Sequence, residues 1–229
     1  MKQSKRFRSS SEKVEPKKTY SIIEAVSLVK TTATAKFIES VDIAIRLGVD
    51  IKKADQALRG TVALPHGIGK AVKVLVIAKS PKDTEAKEAG ADFYGYQEYL
   101  DKIKEGWTGV DVIIATPDTM VELGKLGKIL GPRGLMPNPK SGTVTNDIAK
   151  TVKEVKAGKI EFRTDKAGIV HSSIGKVNFE PEKLVENLKT FLSTIVRMKP
   201  QTSKGQYIKS VSLSSTMGPA ILIDNAEAH

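Results

Sequence analysis

The spacing of apolar residues changes twice along this chain, and these changes limit the folds that the chain can adopt. In the middle, AVKVLVIA and VDVIIAT are nearly continuous apolar runs that are separated by charged helical segments. Runs of this kind are typical of strands covered on both faces, as in a parallel sheet. On either side, FIESVDIAIRLG and IKSVSLSST alternate apolar and polar residues, which is typical of strands with one face in solvent. The sequence therefore predicts two different sheets.

The first flank begins with a basic tail whose consecutive serines at 9–11 suggest mobility. It then predicts a helix over residues 20–30, with Thr19 as its cap, and a strand in FIESVDIAIRLG. Alternation in this strand places Phe37 on the same face as Val41, with Asp42 on the other face. LRGTVALP predicts a second strand.

The second flank predicts two strands in GKIEFRTDKAGIVHSSIG, joined by a turn at 165–168. An amphipathic helix follows over residues 182–198, and the strands IKSVSLSST and AILID end the chain. The middle adds helices over 81–89 and 97–105, one near Pro117, and a last one for which Asn146 is a candidate cap. Strands that alternate with helices predict an α/β domain.

These patterns predict a discontinuous domain. Residues 1–66 and 159–229 would form one α+β domain with helices on one sheet, and residues 67–158 would form an α/β domain inserted into it. The two crossings contain glycine, which lets the chain turn. We therefore expect hinges at His66, Gly67 and Gly69 on one side and at Gly158 on the other.

The net charge is +11, from 37 Lys and Arg against 26 Asp and Glu. Residues 67–158 hold 14 basic and 12 acidic residues, so nine of the eleven net positive charges lie on the flanks. Basic surface gains affinity for a polyanion because each neutralised phosphate releases counterions. No apolar run reaches the roughly 20 residues of a membrane span, and no secretory signal is present, so we expect a cytoplasmic protein without a membrane partner. The absence of cysteine excludes disulfides and thiolate metal sites.

The segment PHGIGKA resembles a nucleotide-binding loop only in part. Gly67, Gly69 and Lys70 precede a predicted strand, whereas a phosphate loop follows a strand and opens a helix. Ala71 also stands where the loop needs a magnesium-binding hydroxyl. A turn or hinge is the favoured interpretation, and an enzyme that uses a nucleotide in the middle domain is the competing one.

The histidines do not indicate a metal or catalytic site. His66, His171 and His229 lack metal-ligand spacing, so we expect no metal and no cofactor. His171 follows an alternating strand pattern and is either a packed or solvated strand residue or an RNA contact. No motif in the chain requires catalysis, and we expect the protein not to be an enzyme.

Two segments are candidates for a binding surface. In AKFIES, Phe37 beside Lys36, Glu39 and Ser40 could stack on an unpaired base, although a core phenylalanine is an equal alternative. In SLSSTMGPA, hydroxyl groups suit the 2′-OH of RNA and a glycine allows close approach of the backbone, although a plain hairpin turn is the alternative. The two interpretations of the second segment are compatible.

Four long segments carry a resemblance to a known family: GTVALPHGIGK, LGKLGKILGPRGLMPNPKSGTVT, KIEFRTDKAGIVHSSIGK and KSVSLSSTMGPAILID. Together they resemble the bacterial form of the large-subunit ribosomal protein L-one family, the protein of the mobile ribosomal stalk. Ala220, where the family pattern has glycine, is one mild departure. The resemblance implies a split ferredoxin-like α+β domain interrupted by a Rossmann-like three-layer α/β domain. It also implies a protein that is monomeric when free.

The resemblance further implies three RNA partners: the stalk region of large-subunit ribosomal RNA, the mRNA of the protein's own operon, whose translation it would repress, and the deacylated tRNA leaving the exit site. The implied RNA-binding residues are Lys36, Phe37, Glu39, Ser40, Arg163, Lys166, His171, Ser173, Ser214, Thr216, Met217 and Gly218.

The segment LGKLGKILGPRGLMPNPKSGTVT is dense in glycine and proline, which argues against a helix or a strand. Its cations are Lys125, Lys128, Arg133 and Lys140. We expect a loop of fixed shape that contacts tRNA or a second rRNA segment, and a purely structural loop is the alternative.

Overall fold

The computed structural model of this chain describes residues 4–15, 17–51, 53, 56–203 and 205–225. Its contacts divide the chain into two compact units. The first contains the described residues up to Gly69 together with those from Ile160 onwards, and the second runs from Lys70 to Lys159.

The first unit is built on a five-stranded sheet and a separate strand pair. Its elements are α1 (Lys5–Ser11), β1 (Thr19–Tyr20), α2 (Ile22–Thr32), β2 (Ser40–Leu47), β3 (Arg59–Ala63), β7 (Lys159–Arg163), β8 (Ile169–Lys176), α8 (Pro181–Arg197), β9 (Ile208–Ser215) and β10 (Ile221–Ile223). The sheet has the order β1-β10-β9-β2-β8, in which only β1 and β10 are parallel. β3 pairs with β7.

Helices α2 and α8 cover one face of the five-stranded sheet. In β2 the buried residues alternate, from Val41 to Leu47, with side chains that face away from the core. The helix α8 adds a buried stripe at helical spacing, which includes Phe191, and this ring meets Phe162 edge-on at a centroid distance of 5.4 Å. Burial of this apolar surface stabilises the unit and leaves the other face of the sheet polar.

Three local predictions for this unit are wrong. Strands β7 and β8 are joined by the predicted turn but lie in different sheets, so the unit does not contain a single sheet. The helix α2 begins after Ser21, whose hydroxyl and the carboxylate of Glu24 form a capping box, so Thr19 is not the cap. The serine-rich tail contains α1, and Ser10 is buried and donates to the carbonyl of Thr32 at 3.3 Å.

The second unit is a three-layer α/β structure. Its elements are β4 (Val74–Ile77), α3 (Lys82–Glu88), β5 (Phe93–Gly95), α4 (Gln97–Lys104), β6 (Val112–Ala115), α5 (Met120–Lys125), α6 (Gly127–Leu130) and α7 (Ile148–Lys156), with single 3₁₀ turns at Pro117–Thr119 and Pro139–Ser141. The sheet is parallel, with the order β5-β4-β6. Val74 and Val76 pack on the side of α3 and α7, whereas Leu75 and Ile77 pack on the side of α4, α5 and α6. This packing explains the continuous apolar run of β4.

Two further details differ from the sequence-based prediction. The Gly-Pro-rich segment is not free of regular structure, because α5 ends at Lys125 and α6 covers Gly127–Leu130. The cap of α7 is Asp147, whose carboxylate accepts the N–H of Lys150 at 3.3 Å, while Asn146 accepts the ammonium of Lys82 at 2.9 Å. The predicted fold class, a split α+β unit interrupted by a three-layer α/β unit, is confirmed.

Candidate nucleic-acid interface

Two exposed segments meet at one end of the five-stranded sheet. Residues 36–38 precede β2 and residues 216–218 follow β9, and these strands are antiparallel with Val41 opposite Ser215. We call these two segments the rim. In the rim, the solvent-exposed fraction is 56% for Phe37, 60% for Ile38 and 48% for Met217. Large apolar side chains in solvent beside a basic residue such as Lys36 suit contact with unstacked bases.

The placement of Phe37 on the core face of β2 is wrong. The strand begins at Ser40, which pairs with Lys176 of β8, and Val41 is the first residue that pairs with both neighbouring strands, so the residues before Ser40 lie beyond the end of the sheet. Alternation no longer decides which way a side chain points there. The alternative of a core phenylalanine is therefore excluded, and the ring of Phe37 is free for a partner.

Two hydrogen bonds join Ser40, the first residue of β2, to Thr216 in the second rim segment. The N–H of Ser40 donates to Oγ1 of Thr216 at 2.9 Å, and the N–H of Thr216 donates to the carbonyl of Ser40 at 3.1 Å. The hydroxyl of Thr216, which the sequence suggested as a partner for a ribose, is therefore already engaged within the protein. Its position stabilises the junction of the two segments.

Glu39 lies beneath the rim. Its side chain is only 2% exposed, and its two carboxylate oxygens accept the N–H of Ala35 and the N–H of Met217, each at 2.9 Å. Burial is the largest single influence and raises the pKa of Glu39, but these N–H donors, together with the hydroxyl of Ser215 and the charge of Arg6, outweigh burial and hold the pKa below its ordinary value. An RNA contact at Glu39 stays a prediction, and its carboxylate is not free for it, because both oxygens face the protein and link the two segments of the chain that form the rim.

Gly218 completes the rim at a point without room for a side chain. A Cβ atom here would lie 2.5 Å from Oγ of Ser215, and the N–H of Gly218 donates to the carbonyl of Ser215 at 3.2 Å. The close approach that was expected for this glycine is thus made to its own chain.

The uncovered face of β2, β8 and β9 adjoins the rim. The residues on this face are mostly small and hydroxyl-bearing, with few long side chains. The strand registers place them in rows across the sheet. We call this face the open face; its rows are Ser173–Asp42–Ser214, His171–Ala44–Ser212 and Ile169–Arg46–Ser210. Three residues that the resemblance implies, His171, Ser173 and Ser214, are therefore brought together here. Such short polar side chains let another molecule approach the backbone closely.

Sequence patterns missed Lys176. A bulge in β8, where the register shifts opposite Val41 and Asp42, turns Lys176 to the side of the open face. Its ammonium donates to Oγ of Ser40 at 2.7 Å, which adds a cation between the rim and the open face. Strict alternation would have placed this lysine on the covered face, so only an observed bulge reveals it.

Two other implied residues lie elsewhere. Lys166 is exposed in the turn before β8, at the opposite end of the sheet from the rim, roughly 25 Å away along an eight-residue strand. The carboxylate of Asp165 shapes this turn by accepting the N–H of Ile169 at 2.9 Å and lies 3.4 Å from Nε2 of His171. The N–H of Ile169 is the main cause that keeps the pKa of Asp165 below its ordinary value. Arg163 is exposed on β7, in the separate strand pair.

Two expected hinge residues of the first unit, His66 and Gly67, are tied to α8. Asn187, which is fully buried, accepts the N–H of His66 at 3.1 Å and donates to the carbonyl of Gly67 at 2.9 Å. His66 also lies 2.5 Å from the carboxylate of Glu186. Gly69 adopts a φ of 68°, and a Cβ there would meet the ring of Phe179 at 2.8 Å. Gly158 has a φ of 109°, which favours glycine, and a hinge role for these four residues stays a prediction.

The second unit presents the four cations of the Gly-Pro-rich segment, Lys125, Lys128, Arg133 and Lys140, all of them exposed. The ammonium of Lys70, in the supposed nucleotide loop, instead pairs with Asp111 at 2.6 Å. At the carboxyl end of β4, the edge where nucleotides bind in α/β sheets, the carbonyl of Ile77 accepts the hydroxyl of Thr119 at 3.2 Å and is therefore bonded within the protein.

Other kinds of site find little support. Among the described residues, no group of three or more His, Cys, Asp or Glu side chains is arranged to hold a metal ion. Within the same ranges, none of the helices combines enough length with enough hydrophobicity to span a lipid bilayer.

Comparisons with known proteins agree with the resemblance that the sequence segments carry. A family model described as "Ribosomal protein L1p/L10e family" matches residues 29–219. Similar proteins include three named large ribosomal subunit protein uL1. Those of Chlorobium chlorochromatii and Flavobacterium johnsoniae are 60% and 57% identical, over 96% and 97% of both chains. That of Macrococcus caseolyticus is 54% identical over 99% of this chain and 98% of its own. The chain therefore belongs to the ribosomal protein L1p/L10e family.

Proposed function

We propose that this protein is a structural component of the large ribosomal subunit that binds a folded segment of its ribosomal RNA. The observation that carries the proposal is the rim, where Phe37, Ile38 and Met217 expose apolar side chains on a strongly basic chain. The names of its relatives, which are large-subunit proteins, support this partner. Family membership also supports a protein that is not an enzyme.

Recognition would use a preformed surface and would break no bond. The carboxylate of Glu39 and the hydroxyl of Thr216 hold the rim, so little conformational freedom is lost when RNA binds. Phe37 can stack on an unpaired base, and the small side chains of the open face admit ribose and base edges. Lysines such as Lys36 and Lys176 add a salt-dependent attraction to phosphates.

The finer roles that the resemblance implies form part of the same proposal. An mRNA with a similar fold would occupy the same surface, so that free protein represses its own operon, and rRNA would compete with it. The exposed cations Lys125, Lys128, Arg133 and Lys140 would contact exit-site tRNA as it leaves. The protein would be monomeric when free and ribosome-associated when bound, as part of a mobile stalk.

A matched pair of variants tests the proposal. Met217→Asp puts a negative charge into the rim, and Ile23→Asp makes the same change at another exposed apolar residue, 68% exposed on α2. In filter binding at physiological salt, with an rRNA fragment that the wild-type protein protects from nuclease, Met217→Asp should weaken binding about tenfold or more, or about 1.4 kcal/mol. Ile23→Asp should bind like the wild type.

Two results would contradict the proposal. If Met217→Asp binds the fragment as tightly as Ile23→Asp, the rim is not the contact surface. If the wild-type protein protects no ribosomal fragment in preference to a shuffled RNA of equal length, the proposed partner is wrong.

A further inference from the structure

Asp42 is the one carboxylate in the three rows of the open face. It lies between Ser173 and Ser214 in the strand registers and lines an open depression of about 400 Å³. Ala44 and His171 also line this depression. The small side chain of Ala44 leaves space in front of the sheet, so a planar group can lie against it.

The position of Asp42 is unfavourable for an ionised carboxylate. Burial raises the pKa of Asp42, and the hydroxyl of Ser173 and the charge of Lys176 offset this only in part. The carboxylates of Glu39 and Asp165 differ from that of Asp42, because each of them accepts hydrogen bonds from backbone N–H groups. In the described part of the chain, no backbone N–H bonds to Asp42, and no ion pair includes it. Its carboxylate therefore lacks the backbone donors that hold Glu39 and Asp165 in place.

We propose that Asp42 determines base specificity by accepting the two adjacent N–H groups of one unpaired guanine. The inference rests on the proposed function, since it concerns the same RNA surface. A carboxylate only accepts hydrogen bonds, and it has two oxygens side by side. Guanine presents N1–H and the N2 amino group in a matching pair.

A neighbouring hydroxyl fits the remaining part of that base edge. A hydroxyl can donate, so Ser214 can bond to O6 of the same guanine, whereas the hydroxyl of Ser173 already donates to the carbonyl of Val41 at 3.4 Å. The Watson–Crick edges of adenine and uracil each place an acceptor beside their single donor, which a carboxylate repels. Phosphate is also disfavoured at Asp42 and would bind near cations such as Lys176 and Arg46, at the margin of the depression.

Asp42→Asn tests the proposal, because a role of Asp42 in recognition and the absence of such a role predict opposite changes in RNA affinity. If Asp42 has no role in recognition, removing a negative charge from a cationic surface strengthens RNA binding. If Asp42 contacts guanine, asparagine replaces one acceptor with a donor, and binding weakens about tenfold or more. Glu161→Gln removes a negative charge from the same unit on β7, away from the open face, and serves as the charge control.

The RNA partner of the experiment is the rRNA fragment that the wild-type protein protects from nuclease, with its guanines replaced one at a time by inosine, which lacks the N2 amino group. At one position of the RNA, the replacement of guanine by inosine should weaken binding to the wild-type protein several-fold and leave binding to Asp42→Asn unchanged. Equal or tighter binding by Asp42→Asn, or inosine effects that are the same in both proteins at every position, would overturn the proposal. Met217→Asp, assayed beside them, reports separately on the proposed function.

Discussion

The buried carboxylate of Glu39 predicts a coupled loss of stability and RNA binding. Glu39→Gln keeps the shape of the side chain, but only one of its two end groups can accept a hydrogen bond. One of the N–H groups of Ala35 and Met217 therefore loses its acceptor in a site that is 2% exposed. A hydrogen bond to a charged group contributes roughly 1.5–3 kcal/mol, and an unsatisfied buried donor costs roughly 1–3 kcal/mol. We expect the free energy of unfolding to fall by about 3 kcal/mol at neutral pH.

The effect should depend on pH with a defined sign. The pKa of Glu39 is lowered in the folded protein, so its contribution to stability is fully present above its ordinary value of 4.5 and is lost as the pH falls through the folded pKa. Glutamine does not titrate. The difference in unfolding free energy between the wild type and Glu39→Gln should therefore be largest at pH 7 and should become smaller below pH 4.5.

The measurements are urea unfolding at pH 7 and below pH 4.5, and filter binding of RNA at pH 7. Glu24→Gln is the matched control, because glutamine also serves in the capping box of α2 and should change stability by less than about 0.5 kcal/mol. Since Glu39 joins the two rim segments, its variant should also bind RNA more weakly. Wild-type stability in Glu39→Gln, or a loss of stability with unchanged RNA affinity, would refute this account of the rim.

Two further substitutions separate binding from folding. Phe37→Ala should weaken RNA binding about tenfold, as expected for one lost stacking contact, and should change the unfolding free energy by less than about 0.5 kcal/mol because the ring is 56% exposed. Equal affinity of the variant and the wild type in filter binding would exclude a stacking role. Asn187→Ala leaves His66 N–H and the carbonyls of Gly67 and Ile174 without their buried partner and should cost about 2–4 kcal/mol in urea unfolding. A loss below about 1 kcal/mol would show that water replaces these bonds.

The spacing of apolar residues predicted the layers of this fold, because burial of one or both faces of a strand determines which of its positions must be apolar. In β4, successive residues enter two different apolar clusters, so every position must be apolar. In β2, only one face is covered, and Val41 to Leu47 alternate as expected. Helix starts were displaced by one or two residues because several good caps stand together. Ser21 competes with Thr19, and Asp147 competes with Asn146.

The rim could not be predicted in the same way, because periodicity does not show where pairing stops. Phe37 continues the parity of β2 in the sequence but lies before the first paired residue. The burial of Glu39 depends on N–H groups from Ala35 and from Met217, and the second is distant in sequence. The bulge that redirects Lys176 is a single local register shift, and it leaves no signal in hydrophobicity.

In the proposed function, the composition of the open face accounts for the selectivity of a strongly basic protein. Fixing a lysine or arginine side chain costs up to about 2 kcal/mol of entropy, and its attraction to phosphate is independent of base sequence. Serines and Ala44 lose little freedom and let the bases approach the sheet. In the proposed function, lysines at the margin, such as Lys36 and Lys176, would supply general affinity, while the short side chains between them would reject RNA of the wrong shape. Under the proposal for Asp42, a single carboxylate in that surface would weaken general attraction and improve discrimination, because an RNA would gain affinity there only where a base supplies hydrogen-bond donors.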